Sequence, residues 1–138
     1  MYKLAVRWMI RRNVRALSNG DLDPLLSSYA SDAVLVFPGE SSWGGRHEGR
    51  PAIGEFLRRF VDAGLEGEVH DIVVNGPPWN TRVCVLFSDR AVRDGRIVYE
   101  NRAMLYARVR GGKITFQEDF EDTHRVEAFD ELLRSAPG

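Results

Sequence analysis

Apolar residues recur at helical spacing near the start, middle and end of this chain, with strand-like runs between them. Leu4, Trp8, Ile10, Val14 and Leu17 predict a helix over residues 3–18. On its other side Lys3, Arg7, Arg11 and Arg15 repeat every four residues, as a solvated face or as a docking stripe for an acidic partner. Ser18-Asn19-Gly20 stops this helix. Asp21 is a good N-cap for a short second helix that tolerates Pro24 in its first turn, with Leu22, Leu25, Leu26 and Tyr29 as its buried side. Ala33–Phe37 reads as a short strand ended by Pro38-Gly39. Residues 40–50 form a glycine-rich loop with room for a short strand near His47. Pro51 and Gly64 bracket a third helix, whose Ile53, Phe56, Leu57, Phe60 and Val61 share one buried face.

The remainder is mostly strand. Segments 68–75, 82–89, about 97–110 and 113–121 carry the β-forming residues. Gly76-Pro77-Pro78 breaks any ladder, Arg93-Asp94-Gly95 signals a turn, and Gly111-Gly112 closes a hairpin. Asp122 or Thr123 caps a last helix with Val126, Phe129, Leu132 and Leu133 as its apolar stripe. Tight connections imply antiparallel pairing, because a parallel pair needs a long crossover. Helices gathered before an antiparallel sheet define an α+β fold with the helices on one face.

The chain has 138 residues, which is the length of one domain, here 1–138. Nineteen Lys plus Arg against twenty Asp plus Glu give a formal charge of −1. Nucleic-acid binders carry a large basic excess or a strongly basic patch, so nucleic acid is not an expected partner. The basic N-terminal residues interrupt any signal-peptide core, and no run of 18 apolar residues could span a membrane. Cys84 is the single cysteine, so no internal disulfide forms, and a cytoplasmic protein is expected. His47, His70 and His124 lack metal-ligand spacing, so neither a metal nor a cofactor is expected.

Several local motifs occur in a telling order. Asn19-Gly20-Asp21-Leu22 follows the first helix. Tyr29-Ala30-Ser31-Asp32-Ala33-Val34 leads into a strand. Gly49-Arg50-Pro51-Ala52-Ile53 precedes the third helix, Gly112-Lys113-Ile114 enters the last strand, and the acidic run Glu118–Asp122 closes it. In this order they resemble the nuclear transport factor 2-like superfamily, and within it the SnoaL-like set that includes polyketide cyclases. The resemblance covers nearly the whole chain. It implies a cone in which a curved sheet wraps around the helices and encloses a deep pocket. The superfamily holds isomerases, hydrolases and proteins with no catalysis, so the fold does not decide the function.

Period-two alternation puts Gln117, Asp119 and Glu121 on one face of the last strand and Phe116, Glu118 and Phe120 on the other. The resemblance places Asp119 where limonene epoxide hydrolase has an acid–base aspartate and Arg82 on that enzyme's pocket arginine. Asp119 and Arg82 are therefore the catalytic candidates, although a buried Asp–Arg pair is also a common structural feature. Tyr99, Asn101, Gln117 and Glu121 complete the polar lining. Leu35, Phe37, Phe56 and Phe60 supply an apolar wall. Trp43 is read as a lid or as a cover for the cone's open end. Burial would raise the pKa of Asp119 and a close Arg82 would lower it.

The departures from known relatives matter as much. The positions that match the base, tyrosine and acid of ketosteroid isomerase read Phe37, Asn13 and Leu105. Those that match the second aspartate and the water-positioning residues of epoxide hydrolase read Cys84, Leu35 and Phe37. Two functions follow from these observations. One is an isomerase- or cyclase-type enzyme acting on a small, largely apolar molecule through one carboxylate, with an incomplete epoxide hydrolase as its variant. The other is a non-catalytic dimeric binding module. Val83, Val85, Phe87, Met104, Tyr106, Phe116 and Phe120 are assigned to the sheet's outer face, which leads to the expectation of a homodimer.

Overall fold

The computed structural model describes residues 1–135. Helix α1 spans Tyr2–Ser18 and α2 Asp23–Ser28. Strands β1 (Tyr29–Phe37) and β2 (Gly45–Glu48) lead to α3 (Gly49–Asp62). Then come β3 (Leu65–Asn75), β4 (Thr81–Arg93), β5 (Arg96–Arg110), β6 (Lys113–Glu121) and α4 (Thr123–Ser135). The six strands form one sheet in the order β2-β1-β6-β5-β4-β3. This is the expected α+β architecture, a curved and mostly antiparallel sheet with helices against its concave face.

One pairing differs from expectation. β1 runs parallel to β6, while every other neighbouring pair is antiparallel. The reason is the connection: α3 and four strands separate β1 from β6, and a crossover that long permits parallel pairing. The hairpins behave as their sequences require. Asp94 and Gly95 adopt φ of 51° and 75°, and Gly111 and Gly112 adopt 57° and 80°. Such two-residue turns match the twist of the flanking strands.

Helix α1 is rotated relative to the sequence expectation. Val6, Asn13 and Leu17 are buried, with Ile10 and Val14 packed beside them. Leu4 and Trp8 are instead 62% and 63% exposed. The Val6–Ile10–Asn13–Leu17 line faces the sheet, and Leu4 and Trp8 fall to one side of it. The Arg12 guanidinium stacks 5.1 Å from the Trp8 ring centre, which partly shields that exposed ring. Arg7 lies lower and donates Nε–H to the Ile72 carbonyl at 3.3 Å. In α4, Val126 and Phe129 are buried but Leu132 faces solvent.

The largest correction concerns β4. Thr81, Val83, Val85, Phe87 and Ala91 are buried on the inner face, and Arg82 is exposed on the outer one. Register explains this. Val83 pairs with Ala107, which pairs with Gln117, which pairs with Leu35, giving a continuous inner row. Arg82 pairs with Arg108 and Asn75 in the outer row. A one-residue difference in phase moves every side chain of a strand to the opposite face. Arg82 is therefore no part of the interior. Val83, Val85 and Phe87 belong to the core and not to the outer surface.

Gly67 shows how tightly β3 fits over this core. A Cβ there would lie 2.4 Å from the tip of the Phe87 ring and 3.4 Å from Val14. Gly67→Ala should therefore force the ring inward and destabilise the fold by about 1–3 kcal/mol, as overpacking does. Urea denaturation of Gly67→Ala, Phe87→Leu and the double variant checks this. The cost of Gly67→Ala should shrink once the ring is gone.

Candidate functional site

The concave face of the sheet and helices α1, α3 and α4 enclose a cavity of about 130 Å³. Its wall is chiefly apolar. Leu35 and Phe37 come from β1, Phe56 and Phe60 from α3, Val83, Val85 and Phe87 from β4, and Phe129 from α4. Phe37, Trp43 and His47 all pack against the Phe56 ring, with ring centres 5.4, 5.6 and 4.9 Å away. Tyr99 stacks on Phe129 at 4.4 Å.

Trp43 closes part of the wall and is 4% exposed. Its loop is held by a three-residue clasp. Buried Asp130 of α4 accepts the Ser42 backbone N–H at 2.8 Å and the Ser42 hydroxyl at 2.6 Å. Arg59 of α3 donates to the Ser42 carbonyl at 2.9 Å and to its Oγ at 2.6 Å, with its guanidinium 4.3 Å from the Trp43 ring centre. Burial alone would raise the Asp130 pKa, but the two Ser42 hydrogen bonds and the charges of Arg134 and Arg59 outweigh it and hold this carboxyl below its ordinary value.

The polar part of the cavity lies along β6. Gln117, Asp119 and Glu121 point inward together. Tyr29 of β1 is fully buried and donates its hydroxyl to Gln117 Oε1. Gln117 Nε2 in turn donates to Asp119 Oδ1 at 2.9 Å. A second group surrounds Glu121. Asn101 Nδ2 lies 3.0 Å from Glu121 Oε2, 2.9 Å from the Asp122 carbonyl and 3.1 Å from the Tyr99 hydroxyl. Tyr99 donates to Glu121 Oε2 at 3.3 Å.

Asp89 of β4 completes the acidic set. It lines the cavity and also a polar cleft at the sheet's end that Asn101 borders. Its Oδ1 is buried and has no hydrogen-bond partner among the described residues.

No lysine, arginine or histidine stands among the described residues that line the cavity. Burial therefore decides the protonation of all three acids. It pushes Asp119 up to about 7, with Glu118 adding to the rise and the Gln117 hydrogen bond opposing it. Burial and then the Asp119 charge push Asp89 to about 7. Burial, Asp89 and Asp119 together push Glu121 to about 8, against hydrogen bonds from Tyr99 and Asn101. Both tyrosines are pushed up too, Tyr29 by burial and Asp119, Tyr99 by burial, Asp89 and Glu121. These groups share their protons and titrate as a set.

Most residues anticipated from sequence meet at this cavity: Asp119, Gln117, Glu121, Tyr99, Leu35, Phe37, Phe56, Phe60 and Trp43 line it. Asn101 stands behind the wall and orients Glu121. Arg82 lies outside. Tyr29 and Asp89 were missed. Asp89 shares the phase of Val83, Val85 and Phe87, so the strand phase that misplaced Arg82 also hid Asp89. The clean apolar alternation of those three residues was the available signal.

Comparison with known proteins agrees with this architecture. Residues 10–117, more than half of the chain, match the model of the SnoaL-like domain, and the chain belongs to that family. Its fold is similar to that of Bal32a from a soil-derived mobile gene cassette, at 20% identity and a TM-score of 0.76, covering 89% of this chain and 94% of that one. It is also similar to a nuclear transport factor 2-like protein of unknown function from Burkholderia pseudomallei, at 21% identity and 0.71, covering 94% and 97%. TerC, co-crystallised with polyporic acid, matches at 22% identity and 0.69, covering 89% and 95%. At such identities the likeness is one of fold. A search among curated proteins gives no significant match.

The raised acids give a pH signature. Below the ordinary carboxyl pKa near 3.8, Asp119 is protonated in both the folded and unfolded chains and carries no ionisation penalty. As pH rises towards 7 the unfolded chain releases this proton and the folded chain keeps it, so stability falls; above about 7 the full penalty applies. At about 1.4 kcal/mol per pKa unit the cost of ionising Asp119 is at most about 4 kcal/mol. The protein should thus be more resistant to urea at pH 5 than at pH 8. Asp119→Asn should reduce that difference, leaving the part that Asp89 and Glu121 contribute.

Proposed function

We propose that this protein binds a small, largely apolar molecule in the cavity and that Asp119 moves a proton on it, in isomerase- or cyclase-type chemistry. One observation carries the reading: Asp119 is a desolvated carboxyl with a pKa near 7 in an otherwise apolar enclosure. A general acid or base is most effective when its pKa lies near the working pH. Ionised Asp119 would take a proton from a carbon beside a carbonyl and return it at another position. Negative charge on the oxygen then needs a donor. Tyr99 and Asn101 belong to the polar lining expected from sequence, but their hydrogen bonds are committed around Glu121. Neutral Glu121 or Asp89 suits the role better, since a carboxylic acid kept protonated by burial donates a strong hydrogen bond. The cavity is close in size to apolar cavities that admit a single benzene ring, which favours a one-ring ligand over a polycyclic one. Epoxide hydrolysis loses support because Arg82 lies outside the cavity.

The sheet's outer face supports a homodimer. Met104 and Phe120 are 43% and 51% exposed there, with Tyr106 and Phe116 half-buried beside them. Contiguous apolar area of this kind marks an interaction surface. A non-catalytic dimeric binding module remains the second reading, favoured by the lack of any cation among the described residues lining the cavity to activate or stabilise a reacting anion. The single cysteine, Cys84, suits a reducing cytoplasm. Among the described residues no helix is long and apolar enough to cross a membrane.

Two measurements test these readings. Wild-type protein should catalyse deuterium exchange beside the carbonyl of cyclohexanone or indanone, followed by NMR. Asp119→Asn should lose roughly 100-fold or more of that rate while still binding the ketone in a thermal-shift assay. Undiminished exchange removes Asp119 from the chemistry, and no exchange with any ketone leaves the binding-module reading. Separately, sedimentation at micromolar concentration should give a dimer, and Phe120→Glu should give a monomer. A monomeric wild type would end the homodimer proposal.

A further inference from the structure

The cavity wall is one-sided in charge. Asp89, Asp119 and Glu121 reach it from β4 and β6, and no cationic side chain lines it among the described residues; Asp89 also borders the outer cleft, which Arg90, Arg102, Arg125, Glu66, Glu68 and Glu100 line. One buried carboxylate oxygen in the same wall, Asp89 Oδ1, lacks any hydrogen-bond partner among the described residues. A buried carboxylate oxygen left without a donor is costly, so a guest that brings a donor gains what the wall itself does not provide. Eight aromatic residues, Phe56, Phe60, Phe87 and Phe129 among them, line the same space, and the faces of such rings attract cations. Among the described residues no three His, Cys, Asp or Glu side chains form a group that could hold a metal ion.

Resting on the reading that the cavity binds a small apolar molecule, we propose that its ligand carries a protonated amine, with the ammonium against Asp89 and Glu121 and the apolar body among the aromatic rings. An ammonium has three N–H donors and no acceptor, which suits a wall of acceptors. It brings the positive charge that the wall lacks. An anionic guest of the same shape would be placed beside three acids with nothing to neutralise it, and is excluded.

Protonation sharpens the selection. The ionisable side chains facing the cavity are Asp89 of β4, Asp119 and Glu121 of β6, Tyr29 of β1 and Tyr99 of β5, with Glu118 behind Asp119. Helices α1, α3 and α4 contribute no charged side chain to the lining. With acids titrating near 7 to 8, the wall is neutral at pH 5 and anionic above pH 8. Amine binding should therefore strengthen as pH rises and release protons to the buffer.

Three probes of one ring each decide the matter by calorimetry on the full chain: benzylamine, benzyl alcohol and phenylacetate. Benzylamine should bind at least tenfold more tightly than benzyl alcohol at pH 8, and phenylacetate should not bind. The benzylamine affinity should rise at least tenfold from pH 5 to pH 8, with the heat depending on the buffer's ionisation enthalpy. Asp89→Asn should remove most of the amine preference. Glu121→Gln serves as the second variant, and the wild-type pH profile needs neither. Equal or tighter binding of benzyl alcohol, or a flat pH profile, overturns the amine assignment while leaving an apolar cavity. Failure of all three probes to bind overturns the binding reading beneath it.

Discussion

Desolvation of the β6 and β4 carboxyls is the constraint on which the cavity depends. A carboxylate removed from water must find a counter-charge, accept enough hydrogen bonds, or keep its proton. Here the first route is closed, because no cation lines the cavity among the described residues. The second is only partly open: Asp119 has one donor in Gln117, and Glu121 has Asn101 and Tyr99. Asp89 Oδ1 has none. The proton is therefore retained to near-neutral pH, and acidity, stability and ligand preference are aspects of that one balance.

The sheet makes such an arrangement possible. The parallel β1–β6 pairing brings Leu35 beside Gln117, so the fully buried aliphatic row of β1 continues into the polar row of β6. Tyr29, at the start of β1, then reaches Gln117 from the opposite end of the strand. A purely antiparallel ladder of sequential strands would not have placed these residues together. The clasp of Asp130, Ser42 and Arg59 does comparable work from the helical side, fixing Trp43 against the apolar end of the wall.

Much of this was legible in the sequence, and the limits have physical causes. The α3 stripe was clear because Ile53, Phe56, Leu57 and Phe60 repeat at helical spacing with charged residues between them. The β6 face was clear because Gln117, Asp119 and Glu121 alternate with Phe116 and Phe120. β4 was misread because its two faces are both partly apolar: Cys84 and Leu86 lie outside, Val83, Val85 and Phe87 inside. Hydrophobicity alone then sets the phase weakly, and an analogy with a pocket arginine tipped it the wrong way. α1 was half-read for a similar reason. Its buried line includes a polar residue, Asn13, whose Nδ2 donates to Ser28 Oγ at 2.8 Å, while the large apolar Trp8 lies outside. Tyr29 could not be assigned from sequence because its partner Gln117 is distant in the chain.

β6 carries its two kinds of residue on opposite faces of one backbone. Glu118 and Phe120 look outward, flanking Asp119, and the charge of Glu118 reaches through the strand to hold the Asp119 proton more firmly. Coupling of this sort runs both ways. A cationic group that settles on Glu118 from outside favours the ionised state of Asp119, and ionisation of Asp119 tightens the hold on that group. The outer surface of the sheet is therefore electrically continuous with its interior, and whatever covers that surface also sets the chemical temperament of the chamber behind it.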